Sequence, residues 1–296
     1  MASIKECFKS RWGSDGVIME ADFSQLEVIG AAYVTGDESL KDDLRAGLDM
    51  HCVNAEFMFG RPYQDIRDGY LAGDKVSTKQ RSMAKAKGFL IFYGGTAFGM
   101  SQGFALTQDE CQVFIDNFFK KYPDVLKFQD MMYNNLQSYE YPTDNMVEVK
   151  GKNYREHYAV WESCTGRKYQ WQQYPNKGKA GYKGWKPLKY NRPQVCNYPV
   201  QGFATGDIVP EMLGRVVRAL FKYNLYDKCL PINTIHDSII FDVHKDNLPT
   251  SARVVQKVMQ AAPLAMEKRF GLKLSLPFNV DVEVGDSWDE MKGYAW

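Results

Sequence analysis

The sequence predicts an α+β fold in which an antiparallel sheet is accompanied by a helical block. Three stretches carry that reading. "GVIMEADFS" (16–24) is a short apolar run that closes on polar residues, as a strand end does. "PINTIHDSIIFDV" (231–243) is a pair of β-rich runs around His236-Asp237, a tight antiparallel turn. Between them, from about 46 to 137, apolar residues recur at three and four positions, the period of helices packed on one face.

Taken in order, "LEVIGAAYVTG" turns helical after the first strand and stops at Gly36. Inside the helical block, "RSMAKAKGFLIFYGG" (81–95) sets Arg81, Lys85, Phe89 and Tyr93 four residues apart. At roughly 100° per residue such steps keep the side chains on one slowly drifting stripe, two cations followed by two rings. Ser77 with Gln80 reads as a capping box at the start of this helix, and Gly94-Gly95 as its stop. Residues 165–192 change character, with eight Lys or Arg, no Asp or Glu and six Tyr or Trp, and read as a strongly basic loop. "FATGDIVPEMLGRVVRALFKYN" and "SARVVQKVMQAAPLAMEKRFG" read as helices flanking the hairpin, and "PFNVDVEVG" as a last strand before Trp288.

Composition sets limits. A chain of 296 residues with 45% hydrophobic content can bury a sizeable core. Its 37 basic and 36 acidic residues cancel to +1, so attraction to nucleic acid has to come from the distribution of charge rather than its sum. The six cysteines are scattered without a CxxC pair, which argues against a zinc knuckle or a disulfide scaffold and for reduced thiols in the cytosol. No apolar run approaches the roughly 18 residues that cross a bilayer, so no membrane partner is expected.

Two aspartates attract attention because each sits against an apolar strand, Asp22 at an end and Asp237 at a hairpin tip. Singly, each reads as a turn or cap residue. Meeting in space, they would suit Mg²⁺, a hard cation that takes one or two carboxylates and fills its shell with water and substrate phosphate. The stripe has the same double reading. Arg and Lys four apart usually form a solvated face and Phe and Tyr usually pack in a core, but cations at one end and rings at the other match a nucleoside triphosphate laid along the helix.

Five segments together, "DFSQLE" (22–27), "RSMAKAKGFLIFYG" (81–94), "NYPVQG" (197–202), "IHDS" (235–238) and "VEVGDSW" (282–288), resemble in order the polymerase motifs of family A, polymerase-I-like DNA polymerases, with phage members the nearest in character. The resemblance implies a polymerase palm, an antiparallel sheet with flanking helices, over residues 1–45 and 193–296. It implies helical fingers over 46–192, with a basic aromatic insertion at about 139–192. Asp22 and Asp237 would hold two Mg²⁺ ions, with the backbone carbonyl of Phe23 as a further ligand. Arg81 and Lys85 would grip the dNTP triphosphate, with Lys85 as proton donor to pyrophosphate. His51, Gln25 and Glu27 would also face the nucleotide. Phe89 would stack on it and Tyr93 would stand at the templating position. Asn197, Gln201 and His236 would meet primer-template DNA, as would Arg167, Lys168, Lys177, Lys179, Lys183 and Lys186.

Glu27 and Phe89 argue within this resemblance for deoxynucleotides, since the related single-subunit RNA polymerases keep the cationic stripe and an "HDS" but lack both. Phenylalanine at 89 implies poor use of dideoxynucleotides. Three departures stand out: Ser238 where many members carry a carboxylate, Ile29 where relatives often carry arginine, and Arg192-Pro193 where an arginine is displaced by one position. Because the chain starts about twenty residues before Asp22, the expectation is a palm and fingers with no thumb and no exonuclease domain. A second polypeptide would then carry the thumb and possibly the exonuclease, in the cytoplasm of a bacterial host if phage-encoded. Two alternatives stay open, a single-subunit RNA polymerase relative and a DNA-binding accessory subunit with a decayed centre.

Overall fold

The computed structural model describes residues 3–102, 106–178 and 185–295. Contacts divide the chain into two units: unit 1, Met1–Gly30 with Gln201–Trp296, and unit 2, Ala31–Val200.

The elements follow from local signals. β1 (Gly16–Phe23) is followed by a turn at Ser24-Gln25 and by α1 (Leu26–Thr35), which Gly36 ends at φ 75°. Asp37 caps α2 (Glu38–Arg45), its Oδ1 accepting the Leu40 N–H at 2.9 Å. Asp49 caps α3 (Met50–Phe59), which closes on left-handed Gly60. α4 (Tyr63–Leu71) leads to the 18-residue α5 (Lys75–Phe92), then α6 (Ala97–Ser101) and α7 (Gln108–Lys121), where Thr107 and Glu110 form a capping box. Pro123 opens α8 (Pro123–Asn135), where its missing N–H costs nothing. Strands β2 (Glu140–Val149), β3 (Lys152–Glu162), β4 (Lys168–Gln172), β5 (Tyr174–Pro175) and β6 (Leu188–Lys189) come next. α9 (Arg192–Gln201) contains Pro199, which removes one ladder donor, and runs through a π-helical stretch, Gly202–Ile208, into α10 (Val209–Lys222). The chain ends with β7 (Cys229–Ile235), β8 (Ser238–His244), α11 (Leu248–Gln260), α12 (Ala262–Phe270), β9 (Val280–Gly285) and β10 (Lys292–Gly293).

Unit 1 holds a five-stranded sheet in the order β10-β9-β1-β8-β7, antiparallel at every pairing. β1 is central, and its register sets Asp22 opposite Ser238 on one side and Asp281 on the other. Side chains alternate, so Ile18, Glu20 and Asp22 share one face while Met19, Ala21 and Phe23 share the other. Ile18 packs with Ile240 and Trp288. Met19, Ala21 and Phe23 are fully buried, and α10 and α11 pack on the sheet. Burial of such side chains, at roughly 25 cal/mol per Å² of apolar area, holds the strand that ends on Asp22.

Unit 2 is helical around α5, which packs against α3 and α4 through Cys52, Ala55, Ile66 and Ala84. Gly88 permits the close approach: a Cβ there would stand 2.3 Å from the buried Asn54 Nδ2. The sheet β2-β3-β4 lies over a second cluster that includes Phe128, Met132, Ala159, Tyr169, Trp171 and Tyr190.

Two expectations are corrected. The helix cap is Asp74, which accepts the Ser77 N–H at 2.8 Å; Ser77 is fully buried inside α5 and its hydroxyl donates to the same carboxylate, so Ser77 and Gln80 form no capping box. Residues 165–192 are not wholly a loop, since β4, β5 and β6 lie in it. "KYQWQ" alternates, with Tyr169 and Trp171 buried, so those two rings belong to the core and are not offered to unpaired bases.

Candidate functional site

On unit 1 the site begins at the end of β1. Phe23, the last residue of that strand, donates its N–H to the Asp237 carbonyl at 3.2 Å, tying the hairpin tip to the strand end. His236 takes φ 51° in the two-residue turn, a left-handed conformation that turns normally give to Gly or Asn. The turn brings the Asp237 carboxyl within hydrogen-bonding reach of Asp22. The Asp22 carboxyl is pushed up to about 7, first by burial, then by the charge of Asp237, then by Glu20 and Asp281. Asp281 accepts the Ser24 hydroxyl at 2.7 Å and Glu20 accepts the Trp288 Nε1–H at 3.0 Å. Gln25 stands in the following turn at φ 59°, and Glu27, in the first turn of α1, faces Gln201 Nε2 at 3.5 Å.

The donors here are all oxygens, the chemistry that suits Mg²⁺ rather than a softer metal. Among the described residues no cluster of three or more His, Cys, Asp or Glu converges as a metal cage. An aspartate pair that leaves most of an octahedral shell to water and substrate fits the way Mg²⁺ is held. A divalent cation would also offset the burial and the carboxylate repulsion that together raise the Asp22 carboxyl.

On unit 2 the stripe lies along a partly exposed side of α5, with Lys85 exposed, Arg81, Phe89 and Tyr93 half-buried, and Ala84, Lys87, Gly88 and Ile91 buried behind it. Arg81 Nε bonds Asp49 Oδ2 at 2.8 Å, and the guanidinium lies over the Tyr70 ring at 4.4 Å. Burial alone would raise the Asp49 carboxyl, but the Arg81 hydrogen bond and charge outweigh it and hold it below its ordinary value. Asp49 also caps α3 through Oδ1, on the N–H groups of His51 (3.0 Å) and Cys52 (3.2 Å). His51 is 6% exposed, and burial lowers its imidazole to about 4, against the opposing pull of Asp49 and with help from Arg81 and Lys85. It is a neutral ring at pH 7, edge-on to Phe89 at 5.7 Å. Phe89 and Tyr93 stack at 6.3 Å with 15° between planes, and Lys85 is exposed. Tyr93 and Asn197 both line a 220 Å³ pocket with Leu90, Pro193 and Tyr198.

The predicted DNA-contacting cations of residues 165–192 are spread out. Arg167 lies in the β3–β4 turn, its carbonyl accepting the Ser163 N–H at 2.9 Å. Lys168 approaches Glu162 at 3.9 Å, Lys177 and Lys186 are exposed, and Lys179 and Lys183 lie outside the described residues. Arg192 is committed to Asp130 at 2.7 Å. Asp49 and Tyr70 are the residues that sequence reading missed. The available signal for Asp49 was an aspartate two positions before His51, at the cap of the facing helix.

The DNA polymerase family A model matches residues 1–290, and the chain belongs to that family. It is 27% identical over 275 residues to DNA polymerase I of Chloroflexus aurantiacus, covering 93% of this chain and 24% of that protein. It is 26% identical over 291 residues to DNA polymerase I of Streptococcus pneumoniae, covering 98% and 28%. The chain therefore spans about a quarter of the length of these curated relatives. Among solved structures, the POL domain of Pol1 from M. smegmatis, in complex with DNA primer-template and dNTP, matches with a TM-score of 0.65 at 20% identity, over 97% of this chain and 42% of that one; this likeness is one of fold.

Proposed function

We propose that this chain is the catalytic part of a template-directed DNA polymerase that joins deoxynucleotides to a primer 3′-hydroxyl, with 1–45 and 193–296 acting as palm and 46–192 as fingers. The observation that carries the reading is the meeting of the Asp22 and Asp237 carboxyls, from a strand end and a hairpin tip far apart in the chain. Asp22 and Asp237 would hold two Mg²⁺ ions, with the Phe23 carbonyl beside them. Bound there, the ions would lower the pKa of the attacking hydroxyl and offset the charge that develops on the phosphate. Arg81 presents its Nη edge to the triphosphate while Asp49 holds Nε, and exposed Lys85 gives a proton to the departing pyrophosphate. Neutral His51 donates a hydrogen bond to phosphate without adding charge. Phe89 stacks on the incoming nucleotide with Tyr93 beside it at the templating position, and Asn197 meets the minor groove near the primer end. Glu27, with Gln25 beside it, crowds the sugar 2′ position, which favours dNTPs over rNTPs. Gln201, His236, Arg167, Lys168, Lys177 and Lys186 contact the DNA.

The test is Mg²⁺-dependent primer extension by the purified chain, with Asp237→Ala as the blank. Extension with dNTPs that the substitution abolishes is the expected result. Equal extension by Asp237→Ala would overturn the assignment. Unprimed synthesis from rNTPs would favour an RNA polymerase relative instead. Extension by this chain alone would remove any need for a second, thumb-bearing polypeptide in the chemistry.

A further inference from the structure

A cavity of about 770 Å³ lies within unit 2, between the end of α8, β3 and the β5–β6 pair, and is lined by none of the site residues on α5. Its volume falls in the range of small-molecule and nucleotide sites. Arg155, Lys186 and Lys189 line it, and none of the three forms an ion pair among the described residues. Tyr133 and Tyr154, both partly exposed, bring rings to the same walls, and His157 adds an imidazole. One carboxylate, Glu140, is present, and its Oε1 accepts from Gln173 Nε2 at 3.3 Å. Three cations, one internally engaged acid and three tyrosine rings, of which Tyr190 is buried, describe a place for something that carries phosphate and a flat base together.

The cavity is also held open by fixed backbone. Asn176 ties the β5–β6 pair on both sides: its N–H donates to the Pro187 carbonyl at 2.8 Å and its Nδ2 to the Lys186 carbonyl at 2.9 Å. Gln173 joins β3 from the other direction, its N–H on the His157 carbonyl at 3.0 Å. Arg192, paired with Asp130, lies over one side of the Tyr133 ring at 5.4 Å and fixes its plane. The Lys189 ammonium sits over the Tyr174 ring at 5.6 Å.

We propose that this cavity binds a nucleotide unit of single-stranded DNA, with Arg155, Lys186 and Lys189 on its phosphates and Tyr133 or Tyr154 against its base. This rests on the DNA-directed reading above, in which Lys186 already contacts DNA, and gives that contact a defined pocket together with Arg155 and Lys189 on the β-rich part of unit 2. Cations alone would accept any acidic chain. The rings in the same walls favour nucleic acid, because every base has a face to stack and an acidic peptide has none.

The experiment titrates a labelled oligothymidylate of about 12 nucleotides into the full chain, without Mg²⁺ or dNTP, across a range of salt. Each lost single-strand phosphate contact lowers the slope of log K against log salt by about 0.7, so the triple variant Arg155→Ala, Lys186→Ala, Lys189→Ala should lower it by about 2, with about a hundredfold weaker binding near 0.1 M salt. Tyr154→Leu, which keeps bulk and removes the ring, should weaken binding about fivefold or more and leave the slope alone. An unchanged slope in the triple variant would overturn the proposal. So would equal competition by blunt duplex, by polyglutamate, or by dTMP at the same nucleotide concentration. Because binding is read without catalysis, the result stands whether or not the chain extends a primer, and a chain that extends primers but keeps its slope would sink this inference alone.

Discussion

Asp22→Asn should make the protein more stable above neutral pH in the absence of metal. The Asp22 carboxyl titrates near 7 in the folded chain and at 3.8 when unfolded, so the folded state holds the extra proton between those values. Stability therefore falls as pH rises through that window and levels off above it. At about 1.4 kcal/mol for each tenfold change in the ratio, the loss between pH 5 and pH 8 is at most about 2.5 kcal/mol, and about 1–2 once water reaching the half-exposed carboxylates is allowed for. His51 works in the opposite direction. Its folded value near 4 lies below that of a free imidazole, so the native state gains stability from pH 4 towards 6.5. That contribution is common to both proteins and cancels in their difference. The assay is urea unfolding of wild type and Asp22→Asn with a chelator at pH 5 and pH 8. The variant's advantage should grow by about 1–2 kcal/mol between the two pH values, and millimolar Mg²⁺ should restore wild type at pH 8 while leaving the variant unmoved. Difference curves that stay flat from pH 5 to 8 would refute the burial and carboxylate repulsion at Asp22 from which the metal assignment is argued.

Asp49→Asn removes the charge partner of Arg81 but keeps a cap on α3; losing a charged, part-buried hydrogen bond of about 1.5–3 kcal/mol should lower kcat/KM for dNTP roughly 10- to 150-fold, chiefly through KM, in steady-state primer extension. Gly88→Ala drives a Cβ against Asn54 and should cost about 1–3 kcal/mol in thermal or urea unfolding; a neutral result would mean that α3 and α5 are not packed at that distance. Phe89→Tyr should raise dideoxynucleotide incorporation relative to deoxynucleotide, and an unchanged ratio in a termination assay would remove the ring of Phe89 from the sugar.

Much of the local structure was legible in the sequence because short-range chemistry specifies it. The apolar run into Asp22, the two-residue turn at His236-Asp237 and the four-residue steps of α5 each appear where pattern places them. Residues 165–192 read as a loop because their charge masks their alternation. Residues 168–172 pair with β3, and only that pairing decides that Tyr169 and Trp171 face inward. The cap of α5 was misplaced because Ser77, a good capping residue by type, is buried at N3 and serves Asp74 instead.

The sequence by itself determined the α+β character, the two aspartates and the cationic and aromatic stripe, since period, turn chemistry and residue type act over a few neighbours. Tertiary structure alone decided that Asp22 meets Asp237 and that Arg81 is held by Asp49. It alone also places Arg155, Lys186 and Lys189 around one cavity with tyrosine rings in its walls. These are contacts between residues distant in the chain, fixed by strand register and helix packing, where burial and charge combine to set chemistry that no local pattern carries.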